Sequence, residues 1–195
     1  MAPMVFRKNT VLIMLLALVS VCILKYKSLK NRYHQRQVLS GHLGEFFPIT
    51  GFTDSSGKQA LLDLSRSPIT IIDFWFSTCP YCLEEMKQFG PLLKGREKQV
   101  TLISVSVNNQ QVWKNTLVGR EPGFAFLKNH SPGWIHLNLA SREDTSLHHL
   151  LSTDRVEELA RKLQVETYPS CFVLDPAGRI LARPQSAVAF LKGLP

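Results

Sequence analysis

Two cysteines three positions apart, Cys79 and Cys82, are the residues of this chain best suited to chemistry. One helical turn would bring them within reach of a disulfide. A thiolate at the first attacks a foreign disulfide, and the second thiol resolves the mixed disulfide. The spacing therefore points to reversible thiol–disulfide exchange, with Cys79 attacking and Cys82 resolving. Asp73 is a third candidate, because it interrupts the apolar run Ile69-Thr-Ile-Ile-Asp-Phe-Trp-Phe76. A carboxyl buried in such a run has a raised pKa. It can take a proton from Cys82 or return it.

The elements that must position these groups are legible on either side. Ile69 to Phe76 reads as a strand buried on both faces. Beyond the cysteines, Leu83, Met86 and Phe89 recur at helical spacing, with Glu84, Glu85, Lys87 and Gln88 between them. Ser77 or Thr78 is a fair N-cap, and Pro80 suits the first turn. Cys79 is thus expected exposed at a helix N-terminus, where unpaired amides favour the thiolate.

Asp-Phe-Trp, three residues, then Cys-x-x-Cys resembles the active-site strand and helix of thioredoxins. The resemblance implies an α/β thioredoxin fold, a central mixed sheet flanked by helices. It makes Asp73 the buried acid, Cys79 the nucleophile and Cys82 the resolving thiol. Thr78 stands where thioredoxins usually have Trp, and Pro80-Tyr81 replaces their Gly-Pro, the dipeptide that tunes the reduction potential. Further on, Val165-Glu-Thr-Tyr-Pro169 resembles the thioredoxin approach to a cis proline lying against the cysteines. That implies a cis bond at Pro169, with Tyr168 offering backbone groups to a substrate chain as another strand would. Trp75, Pro80, Tyr81, Tyr168 and Pro169 are the expected substrate-binding residues.

The chain has 195 residues and a net charge of +8, with 23 basic and 15 acidic side chains. Seven of the basic residues, Arg7, Lys8, Lys25, Lys27, Lys30, Arg32 and Arg36, precede the first acidic one, which leaves 16 against 15. The basicity belongs to the N-terminal flank, not to a binding face, and nucleic acid is not an expected partner. Thr10 to Leu24 is uncharged and would span roughly 22 Å as a helix. Flanking Lys25, Tyr26 and Lys27 extend it by snorkelling and by a belt position. No small-x-small cleavage site follows, so residues 1–24 are expected to be an uncleaved single-pass membrane anchor, with a cleaved signal as the alternative, 25–40 a basic linker and 41–195 the thioredoxin-like domain. The positive-inside rule would keep that domain in the cytoplasm. A thioredoxin-like domain on a short anchor instead resembles the bacterial TlpA/ResA group. That resemblance implies a periplasmic or extracytoplasmic domain that reduces protein disulfides and is re-reduced by a membrane electron-transfer protein.

Within the domain, Phe46 to Ile49 and Leu61 to Leu64 suggest a hairpin about Asp54-Ser-Ser-Gly57. Gly90-Pro91 should kink or end the motif helix. Val100 to Val107 reads as a strand and Gln110 to Leu117 as a short helix containing Trp113. Gly119 to Ala140, with its Trp134–Asn138 patch, reads as irregular. With Ser141 to Thr153 it resembles, in position, the central insertion of the TlpA/ResA group, which could shape partner choice; the equal alternative is that it only covers the sheet. Asp154 and Glu157 propose a capped helix. Pro169 opens a strand to Leu174, Asp175–Gly178 is a turn, and Ser186 to Leu191 fits a last helix. Cys171 reads either as a buried thiol packing as a small hydrophobe or as a third redox thiol. Trp113 and Trp134 read as packing, His148-His149 as surface.

No organic cofactor or metal is required, since the redox group is the Cys79–Cys82 disulfide itself. A zinc site would need two further ligands. Two rival functions stand beside the first. A peroxide-reducing enzyme of the AhpC/TSA type shares the wider fold, but its Pro-x-x-x-Thr-x-x-Cys pattern is not met: four places before Thr78 stands Phe74, not proline. A non-catalytic binding module would need neither the two cysteines nor Asp73.

Overall fold

Strand β3, Ile69–Trp75, is the axis of the structure, and every residue in it except Ile69 is buried. Its β-branched and aromatic residues have apolar layers to enter on both sides. Ile71 and Trp75 face one core cluster, Ile72 and Phe74 the other. Strand β3 pairs in parallel with Val100–Ser106 on one side and antiparallel with Ser170–Leu174 on the other. In this computed structural model the described residues are 42–119, 122–128, 131–139 and 161–195, with Glu158 and positions 13, 14, 16–21 and 23–25.

In chain order the strands are β1 (Phe52–Thr53), β2 (Gln59–Ala60), β3, β4 (Val100–Ser106), β5 (Trp134–Asn138), β6 (Ser170–Leu174) and β7 (Ile180–Ala182). They form one mixed sheet in the order β2-β1-β5-β4-β3-β6-β7. Helices α1 (Pro80–Leu93), α2 (Gln110–Leu117) and α3 (Ala187–Gly193) complete the principal elements. The apolar stripe of α1 buries Met86, Phe89 and Leu93 together with Cys82, and α3 packs against α1. Ser186 caps α3 by accepting the Ala189 amide at 3.0 Å. On the other face Phe47, Phe74 and Phe172 form an aromatic group, with Phe74 and Phe172 edge-on at 6.0 Å.

Several expectations are corrected. The hairpin turns at Asp54–Gly57 as read, but its ladder joins Phe52 to Ala60 and Thr53 to Gln59. Phe46 makes only an isolated bridge to Arg179, and Leu64 begins a 3-10 turn capped by Asp63. The hairpin also adds to the sheet at β5, through Thr53 and Asn138, where that edge would otherwise be unpaired. Helix α1 runs through Gly90 and Pro91 to Leu93. Pro91 lies in the last turn, where little helix remains to be disrupted. Trp134–Asn138 is not irregular: it is β5, parallel to β4. Its alternation was obscured because Ile135 and His136 are both half-buried.

The chain divides into two compact units, Met1–Leu39 and Ser40–Pro195. In the first, the described positions are helical, and Ile13, Met14, Leu16, Leu18, Val19, Val21, Ile23 and Leu24 are all exposed. Among the described residues no helix is long and apolar enough to cross a membrane. The expected cap at Asp154 and Glu157, Ser141 to Thr153 and His148-His149 lie outside the described residues.

Candidate active site

The site is built where β3 hands over to α1. The turn between them closes with the Cys79 amide donating to the Phe76 carbonyl at 3.0 Å. Cys79 itself is the helix N-cap, and its Sγ accepts the Cys82 amide at 3.2 Å. This corrects the expected cap. Ser77 is already engaged, since its amide donates to Asn108 Oδ1 at 2.8 Å and its hydroxyl accepts Asn108 Nδ2 at 3.2 Å. Pro80 occupies the first helical turn, where its missing N–H costs nothing. Cys79 and Cys82 are joined as a disulfide with their Cα atoms 5.3 Å apart.

Both cysteines are buried, which corrects the expected exposure of the first. Cys82 is fully buried, and Cys79, expected exposed, is only 4% exposed. Phe76 and Tyr168 pack against the cluster that holds Cys79. Thr78, Pro80 and Tyr81 form the outer surface, Tyr81 at 77% exposure. The N–H donated to Cys79 Sγ is the contact that would hold a thiolate there after reduction.

Asp73 is 1% exposed and on the α1 side of the sheet, between Ile71 and Trp75 in the alternation. Neither carboxyl oxygen has a hydrogen-bond partner among the described residues. Burial first, and then the charge of Glu85, raise its pKa well above the ordinary carboxyl value. Cys171 stands opposite Asp73 in the β3–β6 register. Burial, then Asp73 and Glu85, push the Cys171 thiol well up, and Arg183 opposes them. The layer beneath the disulfide therefore holds a carboxyl and a thiol that both favour their protonated forms.

The Tyr168–Pro169 bond is cis. Phe76 and Tyr168 meet edge-on with ring centroids 5.4 Å apart, so the Pro169 segment lies alongside the strand-to-helix turn. Tyr168 and Pro169 are half-buried, and burial raises the Tyr168 hydroxyl's pKa. Trp75 does not join them at the surface. It is fully buried, because its parity in β3 turns it into the core under α1. The structure thus brings Cys79, Cys82, Asp73, Tyr168 and Pro169 into one region, with Pro80 and Tyr81 at its rim.

Three contributors escaped the sequence reading. Glu85 follows Cys82 by three residues, a spacing that shares a helix face, and that signal was available. Phe76 was read only as the end of a strand. Asn108 lies thirty-one positions from Ser77, and no local pattern links them.

The AhpC/TSA family pattern matches residues 44–183. The chain belongs to the AhpC/TSA family. Its fold is that of thioredoxin, as three solved structures illustrate. A thiol:disulfide interchange protein from Bacteroides sp. aligns with a TM-score of 0.56 at 22% identity, over 80% of this chain and 88% of that one. The thioredoxin domain of a thiol-disulfide oxidoreductase from Bacteroides vulgatus gives 0.55 at 20%, over 77% and 95%. A thiol-disulfide oxidoreductase from Bacteroides fragilis gives 0.50 at 18%, over 77% and 97%. No curated protein matches the chain significantly. This AhpC/TSA member carries a Cys-x-x-Cys disulfide at the start of α1 in place of the Pro-x-x-x-Thr-x-x-Cys pattern of the peroxidases.

Proposed function

We propose that this protein is a thiol–disulfide oxidoreductase of the TlpA/ResA kind that reduces protein disulfides at a membrane surface. The observation that carries the reading is the Cys79–Cys82 disulfide at the N-terminus of α1, above a buried Asp73 whose carboxyl has no hydrogen-bond partner among the described residues. In the reduced protein the Cys79 thiolate attacks one sulfur of a substrate disulfide. The other substrate sulfur leaves as a thiolate and takes up a proton. Cys82 then loses its proton to the ionised form of Asp73, which its raised pKa makes a strong base, attacks Cys79 and releases the second substrate thiol. Two electrons pass from the dithiol to the substrate, and the protein is left oxidised. A membrane electron-transfer protein restores the dithiol. Tyr168 and Pro169 dock the substrate chain beside Cys79, and Pro80 with Tyr81 completes that surface.

The membrane assignment rests on the N-terminal unit. Its described apolar side chains are exposed all round a helix, the pattern of a segment that needs an apolar surrounding. The domain would face the periplasm or the outer membrane surface.

The test is disulfide exchange with a protein substrate. Cys79→Ser should abolish turnover, and Cys82→Ser should trap a mixed disulfide through Cys79. Full activity in the Cys79 variant would sink the mechanism. Alkaline extraction of membranes should leave the full chain in the pellet; its release as a peripheral protein would remove the anchor.

A second reading is favoured by the family match itself. A thiol peroxidase would oxidise Cys79 to a sulfenic acid and use Cys82 to close the disulfide. Rapid peroxide consumption, with sulfenic acid trapped at Cys79 in the Cys82→Ser variant, would favour it over protein-disulfide reduction.

A further inference from the structure

We infer that Asn108, in the loop after β4, is a positioning residue for Cys79, acting through Ser77 to hold the nucleophile at the helix N-cap. The inference rests on the reading of Cys79 as nucleophile and assigns a determinant that the motif does not contain.

Asn108 is fully buried, and its side-chain amide is used at both ends. Oδ1 accepts the Ser77 amide at 2.8 Å and the Ser106 hydroxyl at 3.1 Å. Nδ2 donates to the Ser77 hydroxyl at 3.2 Å. Ser77 is therefore held by main chain and side chain together. It lies inside the turn that the Cys79 amide closes on Phe76. Fixing it fixes where Cys79 enters α1, and with that the approach of the Cys82 amide to Cys79 Sγ.

Asn108 is itself anchored from behind. Its own amide donates to Ser106 Oγ at 3.2 Å, and its carbonyl accepts Asn138 Nδ2 from β5 at 2.9 Å. The same Asn138 group also reaches the Ser106 carbonyl at 3.2 Å. Ser106 and Asn138 are fully buried too. Buried polar groups are costly unless paired, so this network can hold the turn from the rigid ends of β4 and β5. Asn138 supports the turn through its bonds to the Asn108 and Ser106 carbonyls, whereas Asn108 bonds Ser77 itself, which separates the two residues experimentally.

The clamp preserves one N–H donor on Cys79 Sγ. A donor to the charged form favours it, so losing the clamp raises the Cys79 pKa and weakens the reduced state relative to the disulfide. The test is thiolate absorbance against pH in the reduced full chain, with the equilibrium against dithiothreitol. Asn108→Ala should move the thiolate titration to higher pH. It should shift the thiol–disulfide equilibrium toward the disulfide by about tenfold, roughly 30 mV more negative. Its exchange rate should fall at neutral pH and recover as pH rises. Asn138→Ala removes only the anchor behind Asn108; it should lower stability comparably and shift titration and equilibrium by clearly less than Asn108→Ala. Should Asn108→Ala not fold, Ser77→Ala removes only the Nδ2 contact and should shift the titration in the same direction by less. Unchanged titrations in the Asn108 and Ser77 variants, or equal shifts in Asn108→Ala and Asn138→Ala, would overturn the inference. These readouts need no substrate, so failure of wild-type exchange would remove the proposed function and leave this comparison standing.

Discussion

Cys171 lies directly across the β3–β6 ladder from Asp73, on the side of the sheet that carries the disulfide. Its thiol donates to the Pro184 carbonyl at 3.0 Å, and neither Asp73 oxygen has a partner among the described residues. A protonated, buried thiol is a poor nucleophile. Cys171 should therefore resist alkylation in the native protein while the reduced Cys79–Cys82 pair reacts. Cys171→Ala should cost about 1–2 kcal/mol of stability and leave exchange rates unchanged. Disulfide mapping after mild oxidation checks this, and any link from Cys171 to Cys79 or Cys82 restores it as a third redox thiol.

Asp73 should trade stability for chemistry. Its pKa is raised in the folded protein, so the native state holds a proton that the unfolded state has released. Stability from this group is complete below the unfolded carboxyl pKa and is lost as pH rises toward the folded one. Asp73→Asn removes that loss. The variant should gain on the wild type by up to about 1.4 kcal/mol per pH unit across that window, read as urea midpoints at a series of pH values. The same variant should slow resolution near neutral pH. Parallel stability curves would contradict the assignment.

Phe76 is expected to matter for substrate more than for the chemical step. Its ring meets Tyr168 edge-on at 5.4 Å, a contact of a kind worth about 0.5–1.5 kcal/mol beyond burial. Phe76→Ala frees the Tyr168–Pro169 segment on its motif side. KM for a protein disulfide should rise severalfold, with kcat little changed and the Cys79–Cys82 potential unmoved. A loss confined to kcat would place Phe76 in the reaction itself.

Trp134 ties β5 to β4 in the core. Its indole N–H donates to Ser104 Oγ at 2.8 Å, and its ring meets Phe89 of α1 edge-on at 5.6 Å. Trp134→Phe leaves the buried Ser104 hydroxyl without that donor and should cost about 1–3 kcal/mol. Denaturant unfolding measures it, and the exchange rate of the folded fraction should be preserved.

The motif was legible because its signals are local. A run such as Ile69 to Phe76 has one low-energy use, a doubly covered strand, and burial of Asp73 follows from its place in that run. Helix α2 was readable over Gln110–Leu117 for the same reason, and Asn109 caps it by accepting the Val112 amide at 2.9 Å. Trp134–Asn138 was missed because a strand at the β5 position is recognised by its neighbours β4 and β1, not by its own alternation.

By itself, the sequence determined the dithiol, the strand and helix around it, and the buried carboxyl, since each depends on residues within one turn or one strand. Only the tertiary structure decided that Cys79 is the cap and is nearly buried, that Trp75 points away from the surface, and that Asn108 grips Ser77 from the next strand's end. Those facts depend on groups brought together across the sheet, and spacing along the chain carries no record of which distant donor finds which acceptor.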